Sequence, residues 1–342
     1  MITTRNLDDL TARVDTELQA IVNERGFPLY DMMGYHMGWR GAHGAHDGYP
    51  QRQERMHGAL TLLACEAVGG DIDVCLPAAA ALEMVEKFTQ IHDDVQDGNP
   101  QRNDRDAVWW VWGPAQAINA GDGMHALGRL ALLRLANRGI SDERILQIVR
   151  LVDAASLSAC EGRFRDLEAQ ERIDLSVSAY MAMAADKSGA LVGCALQIGS
   201  LVGGADDKTA GLLAQCGEKL GIALQVRSDL AALWGRDDTV PPNVPNVEVL
   251  NKKKLIPVVY ALENASISEK RAMGEIYFKR VLDADDAIRL REVVEGLGAR
   301  DTCEEIAQGL LTEAMDAIGD TTVSTDGKAL LRARVADLGG AR

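Results

Sequence analysis

The residues of this chain best suited to chemistry lie in one stretch, Gln90-Ile91-His92-Asp93-Asp94-Val95-Gln96-Asp97-Gly98. Three aspartates stand at i, i+1 and i+4, at the end of a segment with helical patterning. On a helix, Asp93 and Asp97 lie one turn apart, about 6 Å along the axis, and share a face. Like charges at that spacing weaken a helix slightly. A hard cation such as Mg²⁺ reverses the sign, because carboxylates that share a cation no longer repel. Asp93, Asp94 and Asp97 are therefore candidate metal ligands. The spacing alone fits equally well a solvated acidic helix end running into the turn Gly98-Asn99-Pro100.

The elements that must position these groups read as helices. The chain has 342 residues, 47% of them hydrophobic, enough for a large buried core. Apolar residues recur at helical spacing over 5–24, 55–68, 77–95, 113–137, 141–158, 174–203, 207–234, 254–263, 268–281, 284–297, 302–318 and 326–337. Gly and Pro punctuate most of the boundaries. Residues 29–53 and 235–251 read as loops, and no sustained period-2 alternation announces a sheet. The expectation is an all-α single domain over 1–342, with an N-terminal helix in 1–25 and ten or more helices around a central core. Residues 188–205 are apolar nearly all round, as a helix surrounded by others would be. They carry Gln197, Ser200 and several glycines, so no membrane span is expected.

A formal net charge of −15 argues against a nucleic-acid or anionic-membrane partner. The six cysteines show no CxxC spacing, which fits reduced thiols in the cytoplasm. The N-terminus has no basic-then-apolar signal pattern.

Taken in order, a set of short motifs resembles the trans-isoprenyl diphosphate synthases, the farnesyl and geranylgeranyl diphosphate synthase family. They are Leu63 to Asp71 (LACEAVGGD), His92 to Asp97, Trp112-Gly113 with Ala117 to Asp122 (AINAGD), Gly162 with Asp166-Leu167, Lys187 to Ala190 (KSGA), Gln225 to Leu230 (QVRSDL) and Lys252 to Pro257 (KKKLIP). The resemblance implies the isoprenoid synthase fold, in which two aspartate-rich motifs face each other across a deep apolar cavity. They bind three Mg²⁺ ions and an allylic prenyl diphosphate, commonly in a homodimer. Carried over by position, it implies Asp93, Asp97 and Asp229 as catalytic metal ligands, with Asp94 and Ser228 in support. Arg102, Lys187, Lys252, Lys253 and Arg163 would hold the diphosphate, with Arg163, beside Asp166, open equally to a structural ion pair. Phe88, Thr89, Ser188 and Gln225 would line the pocket, Phe88 capping its depth at about C15 to C20.

The departures from the family point to one ligand. Chain-elongating members hold a second diphosphate, that of isopentenyl diphosphate, on a basic Gly-Lys-Arg-x-Arg-Pro stretch. Here the matching residues are Gln53-Glu54-Arg55-Met56-His57-Gly58. Glu86 replaces a His or Gln, and Asn103 replaces the second arginine of Arg-Arg-Gly. A carboxylate about 4 Å from a phosphate charge is repelled by roughly 4 kcal/mol at an effective dielectric of about 20. The second motif is reduced to Ser228-Asp229-Leu230-Ala231-Ala232 where the family has Asp-Asp-x-x-Asp.

These losses lead to the expectation of a class I terpene synthase that ionises a C15 or C20 allylic diphosphate with Mg²⁺ and cyclises or rearranges the cation. The alternatives are a trans-prenyltransferase, elongating or irregular, and a non-catalytic partner subunit of a prenyl diphosphate synthase. Trp109, Trp110 and Trp112 are expected mainly as packing, and Asp283 to Asp286 as the acidic start of a late helix.

Overall fold

The structure, a computed structural model, describes residues 7–42, 53–235 and 247–340. The chain is helical almost throughout. In order the helices are α1 (Leu7–Asn23), α2 (Pro28–His36), α3 (Met56–Ala67), α4 (Ile72–Asp97), α5 (Val108–Trp112), α6 (Pro114–Leu133), α7 (Asp142–Ala169), α8 (Val177–Ala184), α9 (Ala190–Val202) and α10 (Asp207–Trp234). They continue with α11 (Val247–Leu250), α12 (Ile256–Asn264), α13 (Ile267–Tyr277), α14 (Ala284–Gly296), α15 (Ala299–Gly319) and α16 (Thr325–Leu338).

The all-α expectation holds, with local corrections. The reading of 29–53 as loop fails over Pro28–His36. Pro28 at the first helical position starts α2, and Met33, Tyr35 and His36 bury its inner side, so packing overrides a Gly- and Tyr-rich composition. The expected lack of sheet also fails in one place. Gln101–Arg102 (β1) and Arg105–Asp106 (β2) pair antiparallel, Arg102 opposite Arg105. Asn103 and Asp104 turn the corner with φ of 51° and 58°. Two successive left-handed residues are what a two-residue type I′ hairpin requires, and Asn and Asp tolerate them best among residues with a Cβ. Helix α7 runs past the expected end at 158 to Ala169, through a polar segment whose apolar period is masked by Arg163, Arg165 and Asp166. The expected helix over 174–203 is interrupted by a π-turn at Ala185–Gly189. Of the expected loop over 235–251, residues 236–246 lie outside the described residues, and Val247–Leu250 is helical.

The contacts gather into two compact units, described here one at a time. The first comprises residues 1–156, 191–214 and 318–333. Its core is built on α4, which packs chiefly on α6 and α3. Leu191 to Val202 of α9 are buried except for Gln197, as expected for 188–205. The second unit comprises residues 157–190, 215–317 and 334–342. One apolar cluster in it joins Trp234, Val258, Met273, Ile276, Leu290 and Val294. Asp283 and Asp286 form a reciprocal capping box at the start of α14, so the Asp283 to Asp286 stretch is a helix start, as expected. No helix among the described residues is long and apolar enough to cross a membrane.

Candidate functional site

In the first unit, α4 delivers the aspartates. The helix ends at Gly98 in the left-handed conformation, whose N–H returns to Val95 O while Asn99 N bonds Asp94 O. Asp93 and Asp97 therefore sit in the last turn, where the helix dipole is negative, and that turn holds no basic residue. Both are half-buried. Anions in the final turn oppose the dipole at about 0.3–1 kcal/mol each. A cation would remove that cost, so the donor set of Asp93 and Asp97 fits a hard metal ion.

Asp94 is different. It is 2% exposed and takes a bidentate fork from Arg102, Nε to Oδ2 and Nη2 to Oδ1, each 2.8 Å. Burial works against the Arg102 charge, but Asp94, Asp93 and Glu86 outweigh it and raise its pKa above the ordinary arginine value. The two-residue hairpin is what swings Arg102 back onto α4. Asp94 thus fixes Arg102, with one lone pair of each oxygen taken by the fork.

Phe88 and Thr89 lie five and four residues before Asp93 on α4, a little over one turn back. Phe88 packs its ring on His92 (4.8 Å between centroids) and His125 (5.1 Å), and Thr89 Oγ1 donates to Glu86 O. Trp109 donates to Asn99 O, and Trp112 meets Tyr35 edge-on at 4.9 Å, both packing roles.

The residues of the expected second-diphosphate stretch are already engaged. Arg55 is 1% exposed, with Nε and Nη2 on Asp15 Oδ1, Nη2 also on Met37 O, and Nη1 on Gln53. It is a structural cation, not an anchor for a ligand. Glu86 accepts from Gln90 Nε2 at 2.9 Å, with His57 Nε2 3.8 Å from its other oxygen. Glu54 is exposed. Nearby, His36 is buried, and its Nε2 meets no partner among the described residues. Burial first, then Lys87, Arg102 and Arg55, push its pKa well below the ordinary histidine value.

In the second unit the π-turn carries Lys187 and Ser188. It fits because its neighbours are glycines: a Cβ on Gly162 would lie 2.3 Å from Lys187 N, and one on Gly221 would lie 2.6 Å from Ser188 O. Lys187 Nζ and Arg163 Nη1 both donate to Asp166 Oδ2 at 2.8 Å. Burial pushes the Asp166 carboxyl up, but Lys187, Arg163 and Lys253 outweigh it and hold it below the usual carboxylate range. Lys187, Arg163 and Lys253 gather around Asp166 with donors of the kind that phosphate oxygens accept. Lys253 also reaches Glu248. Lys252 stands apart from this group. It has a φ of 59° and donates to Tyr277 O. Lys254 is buried on Gln170 O and over the Tyr277 ring, and burial with Lys252 pushes its pKa down to about 8.

Asp229 is 3% exposed and fully engaged. Its Oδ2 accepts from Tyr180 OH at 2.5 Å and from Ile256 N at 2.8 Å, and Oδ1 accepts from Gln225 Nε2 at 2.8 Å. Burial pushes its carboxyl up to about 6, against those three donors and Lys187. Ser188 Oγ donates to Gln225 Oε1 at 2.7 Å. Ser228 faces outward, exposed. This donor set does not fit a metal ligand. Sequence reading missed Tyr180. Its signal is a lone phenol in the apolar helix α8, where a buried hydroxyl needs an acceptor.

The Polyprenyl synthetase family model matches residues 51–294. A geranylgeranyl diphosphate synthase from Mycobacterium tuberculosis is 33% identical over 300 residues, covering 87% of this chain and 84% of that protein. A (2E,6E)-farnesyl diphosphate synthase from Mycobacterium bovis is 25% identical over 321 residues, 92% of this chain and 84% of that one. The crystal structure of a polyprenyl synthetase from Streptomyces coelicolor A3(2) superposes with a TM-score of 0.85 at 30% identity, covering 97% of this chain and 99% of that one. The fold is that of the isoprenyl diphosphate synthases. With the motifs in order along the helices and a third of the residues shared across nearly the whole chain, this protein belongs to the polyprenyl synthetase family.

Proposed function

We propose that the protein is a trans-prenyltransferase that joins an allylic prenyl diphosphate to a second isoprenoid unit, giving a prenyl diphosphate of the farnesyl to geranylgeranyl class. The observation that carries this reading is the 33% identity to a geranylgeranyl diphosphate synthase across 87% of the chain. It weighs toward the prenyltransferase alternative rather than the cyclase expected from the motif losses.

Asp93 and Asp97 would hold Mg²⁺. Among the described residues no three acidic, histidine or cysteine side chains converge to cage an ion. Phosphate oxygens and water would therefore complete its shell, as Mg²⁺ accepts readily. When bound, Mg²⁺ supplies charge compensation for a departing pyrophosphate. Lys187, Arg163 and Lys253 would bind phosphate oxygens, and Arg102, held by Asp94, would add its charge beside Asp93. The three ions implied by the resemblance would draw their protein ligands from Asp93 and Asp97. A homodimer fits the exposed apolar side chains of α6, with Ile118 at 44%, Leu130 at 48% and Leu133 at 56%, and light scattering of the purified protein tests it.

One observation favours a terpene synthase as the second reading. Arg55 is consumed by Asp15, Glu86 faces His57, and Asn103 is a turn residue, so the stretch matching the second diphosphate site offers little to an anion. One experiment separates the readings: purified protein with Mg²⁺ and C10, C15 or C20 allylic diphosphates, each with and without isopentenyl diphosphate. A prenyl diphosphate longer by one unit supports the prenyltransferase. A hydrocarbon or alcohol formed from the allylic diphosphate alone supports the cyclase. No pyrophosphate release with any substrate sinks both and leaves the non-catalytic subunit.

A further inference from the structure

We propose that Asp229 is a structural hub rather than a metal ligand, and that with Tyr180 as a positioning residue it sets the π-turn that presents Lys187. The inference rests on the reading that Lys187 contacts a diphosphate.

The hydrogen bonds form one continuous chain. Tyr180 OH and Ile256 N orient the Asp229 carboxylate. Ile256 is the first residue of α12, whose N-cap residue Leu255 supplies no side-chain bond, so Asp229 serves that helix start from outside. The carboxylate in turn orients the Gln225 amide, whose NH₂ must point at Oδ1. With the NH₂ so directed, the amide oxygen is presented to Ser188 Oγ. Ser188 is the neighbour of Lys187 within the π-turn. The backbone of the same turn is gripped through Gly162 and Gly221, where no Cβ could be admitted. Four elements, α8, α10, α12 and the π-turn, thus meet through one carboxylate. A π-turn inserted in an α-helix is a local strain that persists where surrounding structure holds it.

An ionised carboxylate has about four lone-pair sites. Three of those on Asp229 are taken, and the group is 3% exposed. The one left, on Oδ1, belongs to a buried carboxylate with little access for the water shell that Mg²⁺ keeps.

The geometry predicts different behaviour for two substitutions. Asp229→Asn keeps an oxygen for Tyr180 and Ile256 N. Its NH₂ can donate to a flipped Gln225, whose own NH₂ then donates to Ser188 Oγ. Asp229→Ala keeps none of this, and Tyr180→Phe removes one orienting bond.

The test is calorimetric titration of the purified protein with inorganic pyrophosphate, with and without Mg²⁺, for wild type, Asp229→Asn, Asp229→Ala, Tyr180→Phe and Lys187→Ala. Metal-free binding reads the placement of Lys187, and the Mg²⁺ concentration at half-effect reads the metal ligands. Asp229→Asn should match wild type within about twofold on both readings. Tyr180→Phe and Asp229→Ala should weaken metal-free binding by roughly tenfold, toward Lys187→Ala, with the Mg²⁺ half-effect unchanged, since a displaced charged hydrogen bond is worth about that much. An Asp229→Asn variant that needs tenfold more Mg²⁺ while binding pyrophosphate normally without metal makes Asp229 a ligand and overturns the proposal. So does wild-type metal-free binding that is absent or indifferent to Tyr180→Phe. Should Asp229→Ala fail to fold, Asp229→Asn and Tyr180→Phe decide. Turnover of allylic diphosphates is not needed, so failure of the prenyltransferase reading shows separately, in the product assay.

Discussion

The two aspartate motifs treat their carboxylates in opposite ways. On α4, Asp94 is turned inward to hold Arg102, while Asp93 and Asp97 remain half-buried at the negative end of a helix without a basic side chain in its last turn. On α10, the surviving Asp229 is the inward-facing residue, and its neighbours are the exposed Ser228 and two alanines, Ala231 and Ala232. On the function proposed above, the aspartate motifs carry two kinds of acid. One kind lies half-buried in the last turn of its helix, where a cation would offset the dipole. The other is satisfied by the protein and shapes the site. The first motif keeps both kinds and the second keeps only the structural one.

The largest effect that would break this contrast is on turnover. Asp93→Ala or Asp97→Ala should lower Mg²⁺-dependent pyrophosphate release by about 10²-fold or more, as removal of a major electrostatic stabiliser does. The same variants should shift the metal-free melt by no more than about 1 kcal/mol, the size of a charge–dipole effect at a helix end. A clear loss of apo stability with activity intact would reverse the assignment.

Arg102→Ala should add a loss of stability to a loss of turnover. It removes the bidentate fork from Asp94, 2% exposed, and breaking a buried pair costs about 3 kcal/mol. Urea denaturation measures it, and a cost under about 0.5 kcal/mol would place the pair among surface salt bridges.

A pH effect should follow from His36. Its folded pKa lies well below 6.5, lowered by burial and by Lys87, Arg102 and Arg55. The unfolded chain therefore binds the proton first, and stability should fall as pH drops below about 6.5 and level off below the folded pKa. His36→Gln should flatten that part of the stability profile. A melting-temperature difference between wild type and His36→Gln that is the same at pH 7 and pH 5 would mean that His36 is not held neutral.

The smallest effect concerns Asn103. Arginine there restores the cation of the family pattern but must adopt a φ of 51°, at a cost of about 1 kcal/mol. Asn103→Arg should thus lose about that much stability while improving use of isopentenyl diphosphate. Improved use without loss of stability would show that the hairpin does not constrain the position. Unimproved use would point to Arg55, Glu86 and His57 as the limiting groups.

Much of the fold was legible because a buried helix face repeats locally along the chain. The boundaries of α3, α10, α12 and α14 fall within two residues of their periodic segments. Helix α2 and the π-turn were not legible, because burial by distant segments and glycine-sized gaps on neighbouring helices decide them. The types and spacing of Asp93, Asp97, Lys187 and Asp229 were also written in the sequence. Their roles were not. Whether a carboxylate faces solvent or a tyrosine, and whether Arg55 meets a ligand or Asp15, depends on residues up to 49 positions away for Asp229 and 40 for Arg55. Short-range pattern fixes which groups are present. Only the packed chain fixes which lone pairs are left over, and those are what a cation or a phosphate can use.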